Sequence, residues 1–245
     1  MKALLVRVGV DQAYGGWNAP VDAVGNFVYV PIPERPGIRF HPGLERRYRE
    51  VLPALDGFCR DRGCDLSADL RFPAGLAGRP MHLDPDFECL TYGDVGARRG
   101  AGMVGMGDGD LLAFYAGLRH VGPGEPRLVY ALIGMYVVRE VVPVASVPQG
   151  RWHENAHARR ADRGPTDIVV RAKPDVSGRF DRCVPIGEWR AGAYRVRRDL
   201  LAAWGGLSVR DGYIQRSAVP PAFADPARFA RWLQRQAVRL VRGNN

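Results

Sequence analysis

The longest apolar run in the chain covers residues 128–138, with one glycine, Gly134, inside it and Arg139 and Glu140 directly after it. A helix that crosses a bilayer needs about 20 apolar residues, so this run is too short to span a membrane. A short apolar run bounded by charged residues predicts a buried strand. The sequence has 245 residues, 46% of them hydrophobic, which is enough to bury a substantial core around such a strand.

The N-terminal segment, residues 1–10, is also apolar, but Arg7 interrupts it and Asp11 follows it. It lacks the small-residue cleavage site of a secretory signal peptide, so we predict a first strand there. The spacing of the cysteines fits no zinc-binding pattern. They are Cys59, Cys64, Cys89 and Cys183. We therefore expect free, mostly buried thiols in a cytoplasmic protein.

Strand-like and helix-like segments alternate along the chain without a regular β-α-β rhythm. Apolar patterning predicts further strands at residues 26–31, 110–118, 167–172 and 179–186. Helical spacing occurs at residues 44–59, 199–204 and 226–242, and Asp225 and Pro226 suit the start of the last helix. This order favours an α+β fold, with one compact domain over residues 1–245 and helices flanking a central mixed or antiparallel sheet.

The chain is basic, with a formal net charge of +9 and a pI of about 9.8. Such a charge is typical of proteins that bind nucleic acids. Lysine occurs only at Lys2 and Lys173, however, so nearly all of the positive charge is arginine. This skew is also typical of GC-rich genomes. The charge is thus compatible with a phosphate-bearing partner but does not require one.

The densest polar motif is HLDPDFECLTYGD, which begins at His82. Residues two apart on an extended chain point to the same side, so His82 and Asp84 can bind one metal ion. An H-x-D pair with a distant histidine is the pattern of many two-histidine, one-carboxylate iron sites. Asp86, Glu88 and Asp94 would repel each other unless a cation or arginines lie nearby. The alternative is a solvated acidic loop, although the interleaved apolar residues indicate partial burial.

A second histidine motif, WHENAHARR, begins at Trp152. If the segment is helical, His153 and His157 share a face and can bind one metal. Glu154 follows the first histidine as it does in zinc proteases, but the weakly apolar surroundings argue against a protease. Arg159 and Arg160 could bind a phosphate or a carboxylate. The alternative is a surface helix whose histidines have no function.

Two further acids stand in settings that suit ligand contact. Asp11 follows the first predicted strand and precedes the pair Gly15 and Gly16, where backbone can approach a ligand closely. The segment is not a Walker loop, because it lacks the Gly-Lys-Ser/Thr element. It does not match the G-x-G-x-x-G fingerprint of dinucleotide-binding proteins either. Glu34 lies in PIPERP, where three prolines hold it in a stiff, extended segment. The alternatives are that Asp11 is a structural cap in an ordinary loop and that Glu34 is solvated in a proline-rich turn.

The polar motifs as a set resemble the family called nucleotide modification associated domain, third type. The resemblance covers nearly the whole chain, in order, through RVGVDQAYGGWNAPV, FVYVPIPE, HLDPDFECLTYGD, LLAFYAGL, LIGMYVV and ENAHARR. The matching polar positions are Asp11, Glu34, His82, Asp84, Asp86, Tyr92, Asp94, Asn155, His157 and Arg159. The resemblance implies a base, nucleoside or nucleotide as substrate more firmly than it implies a reaction. His153 matches the pattern less closely.

The motifs and the resemblance together predict a non-haem iron(II) oxygenase that uses O₂ to modify a nucleoside, nucleotide or base, as in the biosynthesis of nucleoside antibiotics. The expected metal ligands are His82, Asp84 and His157, with His153 or Glu34 in addition. The expected proton-handling residues are Asp11, Glu34 and Asp94. The expected substrate-binding residues are Tyr92, Asn155 and Arg159.

Two other functions remain open. A zinc ion at the same residues would activate water for hydrolysis or deamination of a base-like substrate. Alternatively, the chain binds modified DNA or RNA without catalysis. The sequence has no clustered basic stripe and no helix-turn-helix pattern, which disfavours a nucleic acid partner relative to a small molecule.

Overall fold

The structure is a computed structural model that describes residues 1–11, 16–62, 71–122, 127–215 and 219–245. Its strands are β1 (Ala3–Arg7), β2 (Pro20–Val21), β3 (Ile32–Pro33), β4 (Met81–His82), β5 (Thr91–Val95), β6 (Leu111–His120), β7 (Leu128–Pro143), β8 (Asp167–Ala172), β9 (Gly178–Pro185), β10 (Gly187–Arg190), β11 (Ala193–Val196) and β12 (Leu240–Val241). Its α-helices are α1 (Leu52–Arg62), α2 (Ala74–Ala77), α3 (Ala101–Val104), α4 (Ala156–Arg159), α5 (Arg198–Trp204) and α6 (Pro226–Gln234). Short 3₁₀ helices cover Tyr48–Glu50, Val144–Ser146, Gln149–Glu154, Pro174–Val176 and Arg210–Gly212.

Strand β7, which contains the long apolar run, lies at the centre of the largest sheet. One edge of β7 pairs antiparallel with β6. The other edge pairs first with β9, over residues 131–135, and then with β8, over residues 138–143. Strands β1 and β2 run parallel to β6, and β5 pairs antiparallel with β8. The sheet is therefore mixed and the predicted α+β class is confirmed.

Apolar side chains pack on both faces of this sheet, as the alternation along β1 illustrates. Leu4 and Val6 belong to one buried cluster, and Ala3 and Leu5 belong to the other. Helices α5 and α6 and the segment between them cover the second face with a group of large rings. These rings are Trp204, Phe223, Phe229 and Trp232. The core thus consists of two layers separated by the sheet.

Helix α6 begins as the sequence predicts but ends earlier. The side chain of Asp225 accepts a hydrogen bond from the backbone NH of Arg228, and Pro226 occupies the first turn. The helix stops at Gln234 rather than continuing to residue 242. The residues beyond it form β12, which extends the sheet by pairing with β9. Backbone pairing at this edge replaces the last predicted turns of the helix.

Two predicted elements near the site also differ from their expected form. Residues 26–31 form only one isolated bridge, between Phe27 and Val21, rather than a strand. The short strand β3 follows, and its Ile32 lies opposite His82 of β4. The helix expected at residues 44–59 begins as a 3₁₀ turn and becomes α-helical only at Leu52. The pairing of β3 with β4 brings the proline-rich segment to the H-x-D motif.

The predicted state of the cysteines is confirmed where the structure describes them. Cys59, Cys89 and Cys183 are free thiols, and burial raises the pKa of Cys89 to about 11. Cys64 and Gly15 lie outside the described residues. None of the helices in the described part of the chain has the length and apolar character required to span a bilayer.

Candidate metal centre

Three segments bring His82, Asp84 and His157 together beside β5. His82 ends β4, Asp84 follows two residues later, and α4 carries His157 against β5 and β8. Atom Nε2 of His82 lies 3.7 Å from Oδ2 of Asp84, and Nε2 of His157 lies 4.0 Å from the same oxygen. One potential ligand atom from each residue lies within 4.8 Å of the other two. The three atoms surround a position that one cation could share, and metal–ligand distances of about 2.0–2.2 Å would require them to move slightly closer together.

The other ring nitrogen of each histidine lies against a carboxylate. Nδ1 of His82 is 3.0 Å from Oε2 of Glu34, and Nδ1 of His157 is 2.8 Å from Oδ2 of Asp167. A carboxylate that accepts from the Nδ1 proton fixes the ring and leaves the Nε2 lone pair free for a metal. Burial lowers the pKa of both imidazoles, which favours the neutral form that binds metals.

Arg160 links these two carboxylates. Its guanidinium donates to Oε1 of Glu34 at 2.7 Å and to Oε2 at 3.1 Å, and its Nη1 lies 3.9 Å from Oδ2 of Asp167. Although burial opposes ionisation, His82 and Arg160 hold the pKa of Glu34 well below its usual range. The hydrogen bond from His157 likewise keeps the pKa of Asp167 low despite burial. Both carboxylates are therefore ionised acceptors for the histidines.

Strand β5 holds the carboxylate of Asp84 through a backbone NH group. The backbone NH of Gly93 lies 2.9 and 2.8 Å from its two oxygens, and Asn155 donates to Oδ1 at 3.4 Å. A Cβ atom on Gly93 would lie 2.6 Å from Oδ1 of Asn155 and 2.7 Å from Cδ2 of His157, so only glycine fits there. Burial and neighbouring acids raise the pKa of Asp84 well above its usual range. A bound cation is the kind of partner that would favour its ionised form.

Asn155 and Arg159, both predicted to orient substrate, lie behind the candidate metal ligands. Oδ1 of Asn155 caps α4 by accepting from the backbone NH of His157 at 2.9 Å. Arg159 donates to Oδ2 of Asp86 at 2.5 Å and to the backbone oxygen of His153 at 2.6 Å. Asn155, Arg159 and Asp86 are each at most 2% exposed. These side chains therefore support the framework of the site and do not line its cavity.

His153 does not join the other ligands, because the helix that would align it with His157 is interrupted. Asn155, with φ −148° and ψ 149°, separates the 3₁₀ helix that carries His153 from α4. The side chain of His153 is exposed, while His157 is buried. The four-residue spacing therefore does not place the two rings on one face. Glu34 also lies outside the ligand set, since it contacts Nδ1 rather than Nε2 of His82.

A cavity of about 400 Å³ opens in front of the three ligands. This volume lies within the range of about 300–1,000 Å³ that is typical of small-molecule sites. Its charged lining residues are Arg7, Asp11, Glu34, Arg35, Asp84, Asp94, Arg98, Arg99 and Arg160. Tyr92 also lines it, but its ring is 4% exposed, and its hydroxyl donates to Asp94 at 3.1 Å. Asp11 and Asp94, two of the predicted proton-handling residues, thus face the cavity.

Sequence reasoning did not identify several residues that shape the site. Gly93 and Asp167 hold the candidate ligands, and Arg98 and Arg99 line the cavity. The sequence does predict that Arg159 and Arg160 bind a phosphate or a carboxylate, and Arg160 binds the carboxylate of Glu34. No local pattern marks Asp167, which meets His157 only because α4 packs on β8.

The sequence profile of the family described as nucleotide modification associated domain 3 matches residues 2–210. The chain belongs to this family. The match includes the three candidate ligands, both carboxylates at their Nδ1 atoms and the residues that line the cavity. Helix α6 and β12 lie beyond the segment that defines the nucleotide modification associated domain. Comparisons with curated proteins and with solved structures gave no significant match.

Proposed function

We propose that the chain is a non-haem iron(II) oxygenase that modifies a nucleotide, a nucleoside or a base. The observation that carries the proposal is the convergence of His82, Asp84 and His157 at the wall of a cavity. Two imidazoles and one carboxylate are the donors with which many oxygenases hold iron. Membership of the nucleotide modification family supports a base-related substrate.

The residues around the three ligands suit metal binding. Glu34 and Asp167 orient the two imidazoles, and Gly93 and Asn155 orient the carboxylate of Asp84. Such partners of the ligands raise metal affinity because they fix the orientation of the ligands before binding. With three protein ligands, bound iron(II) would retain coordination positions for O₂ and for substrate or water.

Asp94 and Asp11 are the candidate proton-handling groups. Both line the cavity, Asp94 accepts a hydrogen bond from Tyr92, and Asp11 pairs with Arg7. A carboxylate can take a proton from a substrate group if it lies within hydrogen-bond reach of that group. We assign Asp94 this role first, because it lies on the same strand as Gly93, which holds Asp84.

The proposal is tested on chain purified without oxygen and loaded with iron(II). We expect nitric oxide to give a ferrous-nitrosyl EPR signal, because an open coordination position binds it. We also expect O₂ consumption that depends on a nucleotide, nucleoside or base from a panel of such compounds. The signal should disappear in His82→Ala and His157→Ala and persist in His153→Ala, whose ring lies outside the ligand set.

A zinc hydrolase or deaminase is the second candidate, since two histidines and a carboxylate also hold catalytic zinc. The presence of Asp94 and Asp11 in the same cavity as the ligands favours it, because a zinc-bound water needs a base. Turnover by the zinc-loaded chain in the absence of O₂ would contradict the oxygenase and support a zinc hydrolase or deaminase. Tight, salt-dependent binding of DNA or RNA without turnover would instead indicate the non-catalytic module.

A further inference from the structure

The lining of the cavity contains more arginine than its acids neutralise. Five arginines and four acids line it. Arg7 pairs with Asp11, Arg160 with Glu34, and Arg99 lies 3.5 Å from Asp94. The fourth acid is the candidate ligand Asp84. The charges that remain are those of Arg35 and Arg98.

Arg98 is the better placed of the two unpaired arginines. Within the described residues its side chain has no hydrogen-bond or ion-pair partner, and it is exposed. It lies on the turn after β5, where its backbone NH donates to the oxygen of Val95. Arg35 lines the same cavity but also lines a second hollow on the other side of the proline-rich segment.

Arg99 places a second guanidinium in the cavity lining, next to Arg98 in the sequence. Its Nη2 donates to the backbone oxygen of Arg7 at 2.5 Å, which ties the turn to the end of β1. The side chain of Arg99 remains 36% exposed. Two adjacent arginines, one fixed and one without a partner, are suited to a phosphate group, which accepts several charge-assisted hydrogen bonds.

We infer that Arg98 and Arg99 form a phosphate subsite, so that the substrate is a mononucleotide rather than a free nucleoside. The inference rests on the proposed function for the position of the base, which would lie at His82, Asp84 and His157. Arg98 and Arg99 line the same cavity as the three candidate ligands, so one bound nucleotide can contact both groups.

The size of the cavity favours a mononucleotide over a nucleic acid strand. Its volume is about 400 Å³, which suits a single nucleotide. Among the described residues, two lining arginines lack an acidic partner, whereas a protein that follows a nucleic acid backbone makes many phosphate contacts. A mononucleotide and a nucleic acid strand both present a phosphate group. Comparing the binding of mononucleotides with that of an oligonucleotide distinguishes the two.

The experiment is calorimetric titration of the full chain after removal of metal with a chelator. The probes are inorganic phosphate, the four 5′-ribonucleoside monophosphates, the corresponding nucleosides and a short single-stranded oligonucleotide. We expect phosphate and at least one monophosphate to bind, with the monophosphate at least tenfold tighter than its nucleoside. Arg98→Ala should weaken phosphate binding about tenfold, because a charge-assisted hydrogen bond is lost.

Two variants serve as matched controls. Arg35→Ala removes the other unpaired arginine of the cavity, and Arg139→Ala removes an exposed arginine outside it. Both should change phosphate affinity by less than about twofold. An effect of Arg35→Ala larger than that of Arg98→Ala would overturn the assignment. Equal binding of phosphate by the parent chain and Arg98→Ala would also overturn it, as would an oligonucleotide that binds more tightly than every monophosphate.

The result is separable from the proposed function because the titration uses neither metal nor O₂. A chain that binds phosphate through Arg98 but binds no iron would retain the subsite and contradict the oxygenase. A chain that binds iron but neither phosphate nor any monophosphate would contradict the subsite alone. Circular dichroism of Arg98→Ala should match the parent chain, because this exposed side chain makes no hydrogen bond or ion pair with the described residues.

Discussion

The guanidinium of Arg160 donates to both oxygens of Glu34, from Nη2 at 2.7 Å and from Nε at 3.1 Å. The same guanidinium lies 3.9 Å from Asp167. It therefore lies between the carboxylate that orients His82 and the carboxylate that orients His157. This geometry makes one arginine common to both candidate imidazole ligands.

Replacement of Arg160 should weaken metal binding without direct loss of a ligand. Arg160→Ala leaves two buried carboxylates without their cation, which destabilises the fold by about 3 kcal/mol and lowers metal affinity by about 10–100-fold. Arg160→Lys should restore part of the affinity, because it returns the charge but not the forked hydrogen bonds. Chelator competition and thermal unfolding measure the two effects. Unchanged metal affinity in Arg160→Ala would show that the contacts of Arg160 with Glu34 and Asp167 do not support metal binding.

A methyl group at Gly93 should disrupt the candidate centre. In Gly93→Ala the new Cβ would meet Asn155 and His157 at 2.6 and 2.7 Å, so Asp84 and His157 must separate. We expect metal affinity to fall at least 100-fold, by loss of ligand alignment. Gly107→Ala is the matched control, since a Cβ there meets nothing within 4 Å. Retention of full metal affinity by Gly93→Ala would contradict the geometry of the site.

The carboxylate behind His157 should tune the metal rather than bind it. Asp167→Asn keeps an acceptor for Nδ1 but removes the negative charge, so metal affinity should fall about 10–100-fold while one metal per chain still binds at saturation. Asp162→Asn, at an exposed partner of Arg39, should have no effect on metal affinity. Equal affinities in the two variants would assign Asp167 a purely structural role.

Metal binding should stabilise the fold. A ligand that binds only the native state adds about 2.7 kcal/mol to the free energy of unfolding at 100 times its dissociation constant. The thermal midpoint should therefore rise with iron(II) or zinc(II) in the parent chain. It should not respond in Asp84→Ala, which lacks the carboxylate ligand. An equal rise in both chains would place the metal at another site.

The sequence was sufficient to predict the fold class and the proximity of His82 to Asp84. The apolar run at residues 128–138 corresponds to the central strand β7, and β8 has the predicted bounds. The relation of His82 to Asp84 follows from a local rule, because residues two apart share a side of an extended chain. Their Nε2 and Oδ2 atoms do lie close together.

The remaining features of the site depend on packing that no local pattern encodes. The i and i+4 rule failed for His153 and His157 because Asn155 adopts an extended conformation to cap α4. Helix α4 ends at Arg159. Arg160 has an extended backbone conformation, and its side chain binds Glu34. Asp167 reaches His157 only through the packing of α4 against β8.

The most direct test of the central claim is the metal content of chain purified without oxygen, measured by elemental mass spectrometry. We predict about one iron per chain in the parent and in His153→Ala, and none in His82→Ala or His157→Ala, because His82, Asp84 and His157 are the proposed iron ligands. Full occupancy in both ligand variants, or a parent chain that binds no iron, would contradict the claim.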